Sequence, residues 1–235
     1  MPSRYSVKTY APDSYYHIYN RGVEKREIFL EEKDFAVLLS YLKTYLMPKE
    51  KNELMAIIAD PLSGWRDKDQ AQKQLRLNNF TDSIELIAYC LMKNHYHMLI
   101  RQESETAMDQ FMNSLWTRYT MYFNKKYKRI GPLFQDVYKA VLVESEEQLM
   151  HLTRYIHRNP IAKRQLRNPA SQGDALRSYI FSSYPDYVGT RKTEWVHPER
   201  ILATWNVDQH KKYEEFVLEI GIEEWSARII APVVI

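Results

Sequence analysis

Residues 84–101, IELIAYCLMKNHYHMLIR, constrain the fold more than any other stretch of the chain. From Ile84 to Met92 the run is almost continuously apolar, which suits a central strand buried on both faces. Lys93-Asn94 supplies a tight turn, and His95 to Arg101 returns as a second strand. The neighbouring elements follow from periodicity. Tyr15 to Tyr19 is rich in β-formers and stops at Asn20-Arg21-Gly22, so it reads as a strand. A helix is predicted from about Glu31 to Tyr45, where Phe35, Leu38, Leu39, Leu42, Tyr45 and Leu46 recur at helical spacing. The clearest helix runs from about Thr106 to Lys128, with Met108, Phe111, Met112, Leu115, Tyr119, Tyr122 and Phe123 on one stripe. After the break at Gly131-Pro132, Val137 to Glu144 reads as a strand. Ser145-Glu146-Glu147-Gln148 then opens a helix by a capping box, and Pro160 stops it at Asn159.

The order is therefore β-α-β-β-α-β followed by a third helix. It predicts an α+β fold, an antiparallel sheet with two helices on one face. The stretch 47–82 has a weaker pattern and is read as an insertion in a main domain of residues 1–165. Residues 166–235 are predicted to form a helical C-terminal extension packed on that domain, with Trp195, Val196, Ile201, Leu202 and Trp205 to bury and a last helix near Gln209–Ile220.

Composition narrows the function classes. The single cysteine, Cys90, excludes an intramolecular disulfide framework and a cysteine-clustered zinc finger. No apolar run approaches the roughly 18 residues that span a bilayer, and the N-terminus lacks a secretory apolar core. The expectation is a cytoplasmic protein with no membrane partner. With 33 Lys+Arg against 30 Asp+Glu, the net charge of +3 does not by itself indicate a polyanion partner. The 18 tyrosines are the unusual feature; most are expected in the core and at its rim.

His95-Tyr96-His97 is the informative tripeptide. On a strand, residues i and i+2 face the same way, so the imidazoles point together while Tyr96 and Met98 point to the other side. Two imidazoles side by side suit a divalent metal, although such a pair also occurs as decoration of an exposed face. On the third helix, Gln148, His151, Tyr155 and Asn159 share a polar stripe beside the apolar Leu149, Leu152 and Ile156. A metal held by His95, His97 and Asn159 would leave positions open for a phosphate oxygen, and Tyr155 could attack phosphorus to form a phosphotyrosine. A free tyrosine has a pKa near 10 and needs activation, for which His151 is one candidate helper. By spacing alone, the plainer alternative of a rim tyrosine and a helix-ending asparagine stands. Lys125, Lys126, Tyr127, Lys128 and Arg129 at the end of the long helix, with Arg154, Arg158, Lys163 and Arg164 around the third, offer a track for a nucleic-acid strand. A solvated helix terminus explains such a charge run equally well.

Several ordered motifs carry a family resemblance. MKNHYHMLI resembles the His-hydrophobic-His strand of the single-tyrosine HUH transposases, the IS200-like superfamily. HIYNRGVEKREIF resembles their first strand and turn, GPLFQDVYKAVLVES their fourth strand, and RYIHRNP their tyrosine helix. FSSYPDYVG and the later EWV, ILATW and YEEFVLEIG resemble the tail of the REP-associated tyrosine transposases. Lys93 replaces a usual proline, and Tyr96 is bulkier than the usual aliphatic residue. The resemblance implies a ferredoxin-like HUH nuclease fold. It also implies a transposase and endonuclease that cleaves and rejoins single-stranded or hairpin DNA through a 5′-phosphotyrosine, with Mg2+ or Mn2+ as cofactor. Carried over by motif, Tyr155 is the nucleophile and His95, His97 and Asn159 the metal ligands. Relatives form dimers that can assemble the catalytic set in trans, so a homodimer is one possible partner arrangement. Two other readings remain open: a domesticated, non-cleaving DNA-hairpin-binding protein, and a metal hydrolase of another class built on His-x-His.

Overall fold

The computed structural model of the protein describes residues 10–161 and 169–219. Its centre is a four-stranded antiparallel sheet formed by β1 (Ser14–Arg21), β2 (Ile84–Met92), β3 (His95–Gln102) and β4 (Lys139–Leu142), in the spatial order β2-β3-β1-β4. Two helices, α1 (Glu32–Leu46) and α4 (Ala107–Lys126), cover one face. They bury Phe35, Leu38, Leu42, Phe111, Met112, Leu115 and Tyr119 against Tyr16, Ile18, Tyr96, Met98 and Ile100 of the sheet. The α+β architecture, the order of elements and the pair of helices on one face agree with the sequence reading. So does the alternation on β3, since Tyr96 stacks on Trp116 at 4.1 Å on the helix face while His97 faces the other way.

One placement differs. The apolar run of β2 suggests a central strand, yet β2 lies at the sheet's edge. It is nevertheless buried on both faces, because the C-terminal part of the chain wraps around it. Ser182 bridges Cys90, the Leu91 amide donates to the Phe181 carbonyl, the Ser183 amide to Tyr89, and the His197 amide to Leu86. An uncovered edge strand is a template for aggregation, and this wrapping removes it. A bulge between Leu86 and Ala88 turns both Ile87 and Ala88 toward the second face, where they join Cys90 and Leu99.

That second face is covered by α5 (Glu146–Arg158), which begins where Ser145 accepts a hydrogen bond from the Gln148 amide at 3.1 Å. Leu149, Leu152 and Ile156 hold it on the sheet. Beside it lie α6 (Pro169–Ser178), α7 (Tyr184–Tyr187), α8 (Glu199–Leu202) and α9 (Gln209–Leu218), which bury Tyr184, Tyr187, Ile201 and Tyr213 in the same cluster. The stretch 47–82, for which the sequence predicts no shape, folds as a helical hairpin of α2 (Lys51–Ala59) and α3 (Trp65–Arg76). Its stem is closed by the Phe80 amide on the Tyr45 carbonyl, and by Asn79 and Thr81 side chains on the carbonyls of Met47 and Leu46. Lys163, Arg164 and Ile220 lie outside the described residues.

Candidate active site

Strand register brings the side chains of the site together. His97 lies opposite Tyr19 of β1 and Cys90 of β2, while His95 lies opposite Arg21 and Met92. Directly opposed residues of an antiparallel pair share a face. His17, Tyr19 and Arg21 therefore stand on the same face as the two imidazoles, and Lys139 of β4, opposite Tyr19, joins them. This is the face on which α5 packs.

The hairpin turn that precedes His95 is anchored from both sides. The Ile28 and Phe29 amides donate to the Lys93 carbonyl at 2.7 and 3.0 Å, and the Gly22 amide donates to the Asn94 carbonyl at 2.9 Å. At position 22 a Cβ would collide with the Arg26 carbonyl and the Ile28 side chain, so this close approach requires glycine.

Tyr155 on α5 reaches the imidazoles. Its ring meets His97 edge-on with centroids 5.3 Å apart, and meets His17 in the same manner at 6.0 Å. The His95 and His97 rings are 5.2 Å apart. Asn159, one turn beyond Tyr155, donates to the Tyr155 carbonyl at 3.0 Å, and its side chain also hydrogen-bonds the His95 imidazole and the Tyr155 phenol. All four residues singled out by motif, His95, His97, Tyr155 and Asn159, thus meet within one chain.

Burial sets the electrostatics. His97 is fully buried, and its pKa is driven well below the usual imidazole value by loss of water, with smaller contributions from His17 and His95. His95 is lowered chiefly by burial as well, and the hydrogen bond to Asn159 partly opposes the shift. Both rings are consequently neutral at pH 7, the state in which imidazole ligates metals. Burial raises the Tyr155 phenol above its ordinary value, an effect that the Asn159 hydrogen bond offsets in part.

The donor atoms present decide whether a divalent cation fits. Among the described residues no group of three or more His, Cys, Asp or Glu side chains converges as a metal site. The candidate set instead combines two imidazoles with an amide oxygen. His97 Nε2 is buried and has no hydrogen-bond partner among the described residues. His95 Nδ1 is held by the Asn94 side-chain oxygen at 2.7 Å, which leaves Nε2 as the ring nitrogen for Asn159 or a ligand. An orphaned buried nitrogen beside a second neutral imidazole fits a divalent ion, and an amide oxygen completes a mixed nitrogen–oxygen set.

Sequence periodicity did not single out His17, Tyr19, Arg21 or Lys139. The i, i+2, i+4 spacing of His17, Tyr19 and Arg21 was the available signal, but only the register shows that they share the face of His95 and His97. Arg21 carries a buried Nε without a partner among the described residues, and Lys139 Nζ lies 5.5 Å over the Tyr19 ring. Two of the residues proposed for the DNA track are occupied within the chain. Lys126 pairs with Glu31 at 2.6 Å and with the buried carboxylate of Asp34, and Arg154 is only 5% exposed and donates to the Glu219 carbonyl. Lys125 and Lys128 are exposed, and Arg129 and Arg158 half-buried. His151 packs edge-on against Phe216, whereas the rings in contact with Tyr155 are His17 and His97.

Residues 62–159 match the family described as IS200-like transposases. The match contains His95, His97, Tyr155 and Asn159, and begins after β1 and α1. The matching family is of a DNA-processing, transposase type, which is what the motifs implied this segment resembles. A solved structure of a REP-associated tyrosine transposase bound to a REP hairpin is similar at 12% identity, covering 81% of this chain and 90% of that one, with a TM-score of 0.45. No curated protein matches the chain by sequence. Among the described residues, no helix is long and apolar enough to cross a membrane.

Proposed function

We propose that this chain cleaves and rejoins single-stranded or hairpin DNA, with Tyr155 as nucleophile and His95, His97 and Asn159 as ligands of a divalent cation, Mg2+ or Mn2+. The observation that carries the reading is the approach of the Tyr155 ring to His97 at 5.3 Å, with Asn159 hydrogen-bonded to both the phenol and His95. A cation bound by these residues would supply Lewis-acid polarisation of a phosphate oxygen. The chain's own residues do the rest. Tyr155 Oη attacks phosphorus as the bond to the 3′-oxygen breaks, leaving a free 3′-hydroxyl and a 5′-phosphotyrosine; attack by a 3′-hydroxyl reverses the step and rejoins the strand. Asn159 orients the phenol. Arg21, whose Nε has no partner among the described residues, and Lys139 place positive charge on the sheet face of the imidazoles, where it can meet a DNA phosphate. Lys125, Lys128, Arg129 and Arg158, exposed or half-buried, are the further cations offered to the backbone of a strand.

Because the whole set lies in one chain, the active site belongs in cis, and the proposal does not require a dimer. Tyr155→Phe tests the central claim. Incubated with hairpin DNA and Mn2+, wild-type protein should give a covalent protein–DNA adduct on a denaturing gel. The variant should give none while binding the hairpin within about threefold of wild type. Adducts that persist in the variant refute the tyrosine assignment. A wild-type protein that binds hairpins but never forms an adduct would be the non-cleaving relative.

A further inference from the structure

His17 is not among the residues that the catalytic reading uses, yet its ring makes a direct polar contact with one of them. Its Nε2 lies 2.9 Å from His97 Nδ1, both side chains are buried, and the ring centroids are 5.1 Å apart with their planes inclined by 22°. A neutral imidazole carries one N–H, so in such a contact one ring donates and the other accepts. The two directions have different consequences for the remaining nitrogen of His97. If His97 accepts, its proton sits on Nε2, which is buried and has no partner among the described residues. That N–H would be stranded, and it would point a hydrogen where a ligand needs a lone pair. If His97 donates, Nε2 presents a lone pair, the one form of this atom that a cation completes.

We infer that His17 is the positioning residue of His97: it accepts the Nδ1 hydrogen, carries its own proton on Nδ1, and thereby holds the Nε2 lone pair of His97 ready for a divalent cation. The inference rests on the proposed role of His97 as a metal ligand. Three further observations support it. His95, the partner imidazole, is arranged alike, with its Nδ1 on the Asn94 side-chain oxygen at 2.7 Å. His17 sits on β1 opposite Leu99, one same-face position along from His97, so the strand register fixes the distance between the rings. Tyr155 also packs edge-on against His17 at 6.0 Å, so the accepting ring is wedged between the sheet and the tyrosine helix. Outer partners of this kind orient the ligand ring and select its tautomer, and their loss typically weakens metal binding 10–100-fold.

Nitrogen-15 NMR of the metal-free wild-type protein reads the tautomer directly, with Nδ1 of His97 expected as the protonated nitrogen and Nε2 as the bare one. Calorimetric titration with Mn2+ reads the consequence. His17→Leu should fold, as judged by circular dichroism, and lose about 10–100-fold in Mn2+ affinity. His17→Gln, whose amide oxygen can accept the same hydrogen, should recover most of that loss, which a purely packing role would not allow. The inference is overturned if His97 of the wild type carries its proton on Nε2, a result that needs no variant. It is equally overturned if His17→Leu binds Mn2+ as tightly as wild type while His97→Ala has lost binding. If His97→Ala itself binds Mn2+ like the wild type, the proposed metal site fails and takes this inference with it.

Discussion

His157, two positions beyond the proposed nucleophile, illustrates how single residues on α5 divide their work. Its side chain points away from the site, with Nδ1 2.7 Å from the Tyr213 hydroxyl and Nε2 2.7 Å from the Ser183 hydroxyl, so it ties α5 to α9 and to the segment that caps β2. Burial, with a smaller contribution from the Arg191 charge, pulls its pKa down to about 3. The unfolded chain would titrate near 6.5. Above pH 6.5 neither state binds the proton and the contribution to stability is complete. As pH falls below 6.5 only the unfolded chain takes it up, so stability declines by about 1.4 kcal/mol per pH unit from this group alone until the folded pKa is reached. Urea unfolding between pH 6.5 and 5 checks this, and a midpoint that stays constant over that window would contradict it. The sequence marks His151, Tyr155 and Asn159 as a polar stripe, but it does not distinguish a histidine clamped in the core, such as His157, from a half-buried one such as His151. Both lie on α5, and only packing tells them apart.

At the scale of elements, periodicity was a good guide wherever one face meets the core. The reading of β1, β2, β3, α1, α4 and α5 matches the structure to within a few residues, because each carries an uninterrupted apolar face or a capping and stop signal. The stretch 47–82 was not interpretable for the same physical reason. α2 buries no residue and α3 buries only Ala71, so selection for an apolar stripe is absent. This hairpin stands out from the domain with Met55, Leu62 and Trp65 exposed, and its stem is pinned by Tyr45–Met47 against Asn79–Thr81. Replacing residues 49–76 with a short Asn-Gly turn is therefore expected to leave a folded protein, with stability changed by no more than about 1–2 kcal/mol, since loop closure costs vary slowly with length. Thermal unfolding monitored by circular dichroism is the check; loss of a cooperative transition would mean that the hairpin carries part of the core.

At the scale of the whole molecule, the C-terminal part of the chain is not an accessory to the sheet. Trp195 and Val196 enter the cluster under α1 and α4, while Tyr184, Tyr187 and Tyr213 fill the one under α5. Asp186, buried, accepts two hydrogen bonds from Arg191 and one from the Thr193 amide, which buckles the segment against β2. A single chain thus supports both walls of the candidate site. The matching experiment mixes two inactive variants, Tyr155→Phe and His97→Ala. A site assembled in cis predicts that the mixture forms no more than about a few per cent of the wild-type adduct, whereas recovery of a quarter or more would mean that tyrosine helix and histidines come from different chains.

The sequence on its own determined the succession of strands and helices and the capping of α5, because these depend on local spacing and on side-chain chemistry; the two imidazoles, the phenol and the amide became candidates through their resemblance to family motifs. It could not determine which residues from distant segments face one another. That β2 is an edge strand covered by the chain near 181–197, that His17 backs His97, and that Lys126 and Arg154 are bound internally depend on strand register and long-range packing. Such contacts join positions far apart along the chain, 80 residues in the case of His17 and His97, and no local period encodes them.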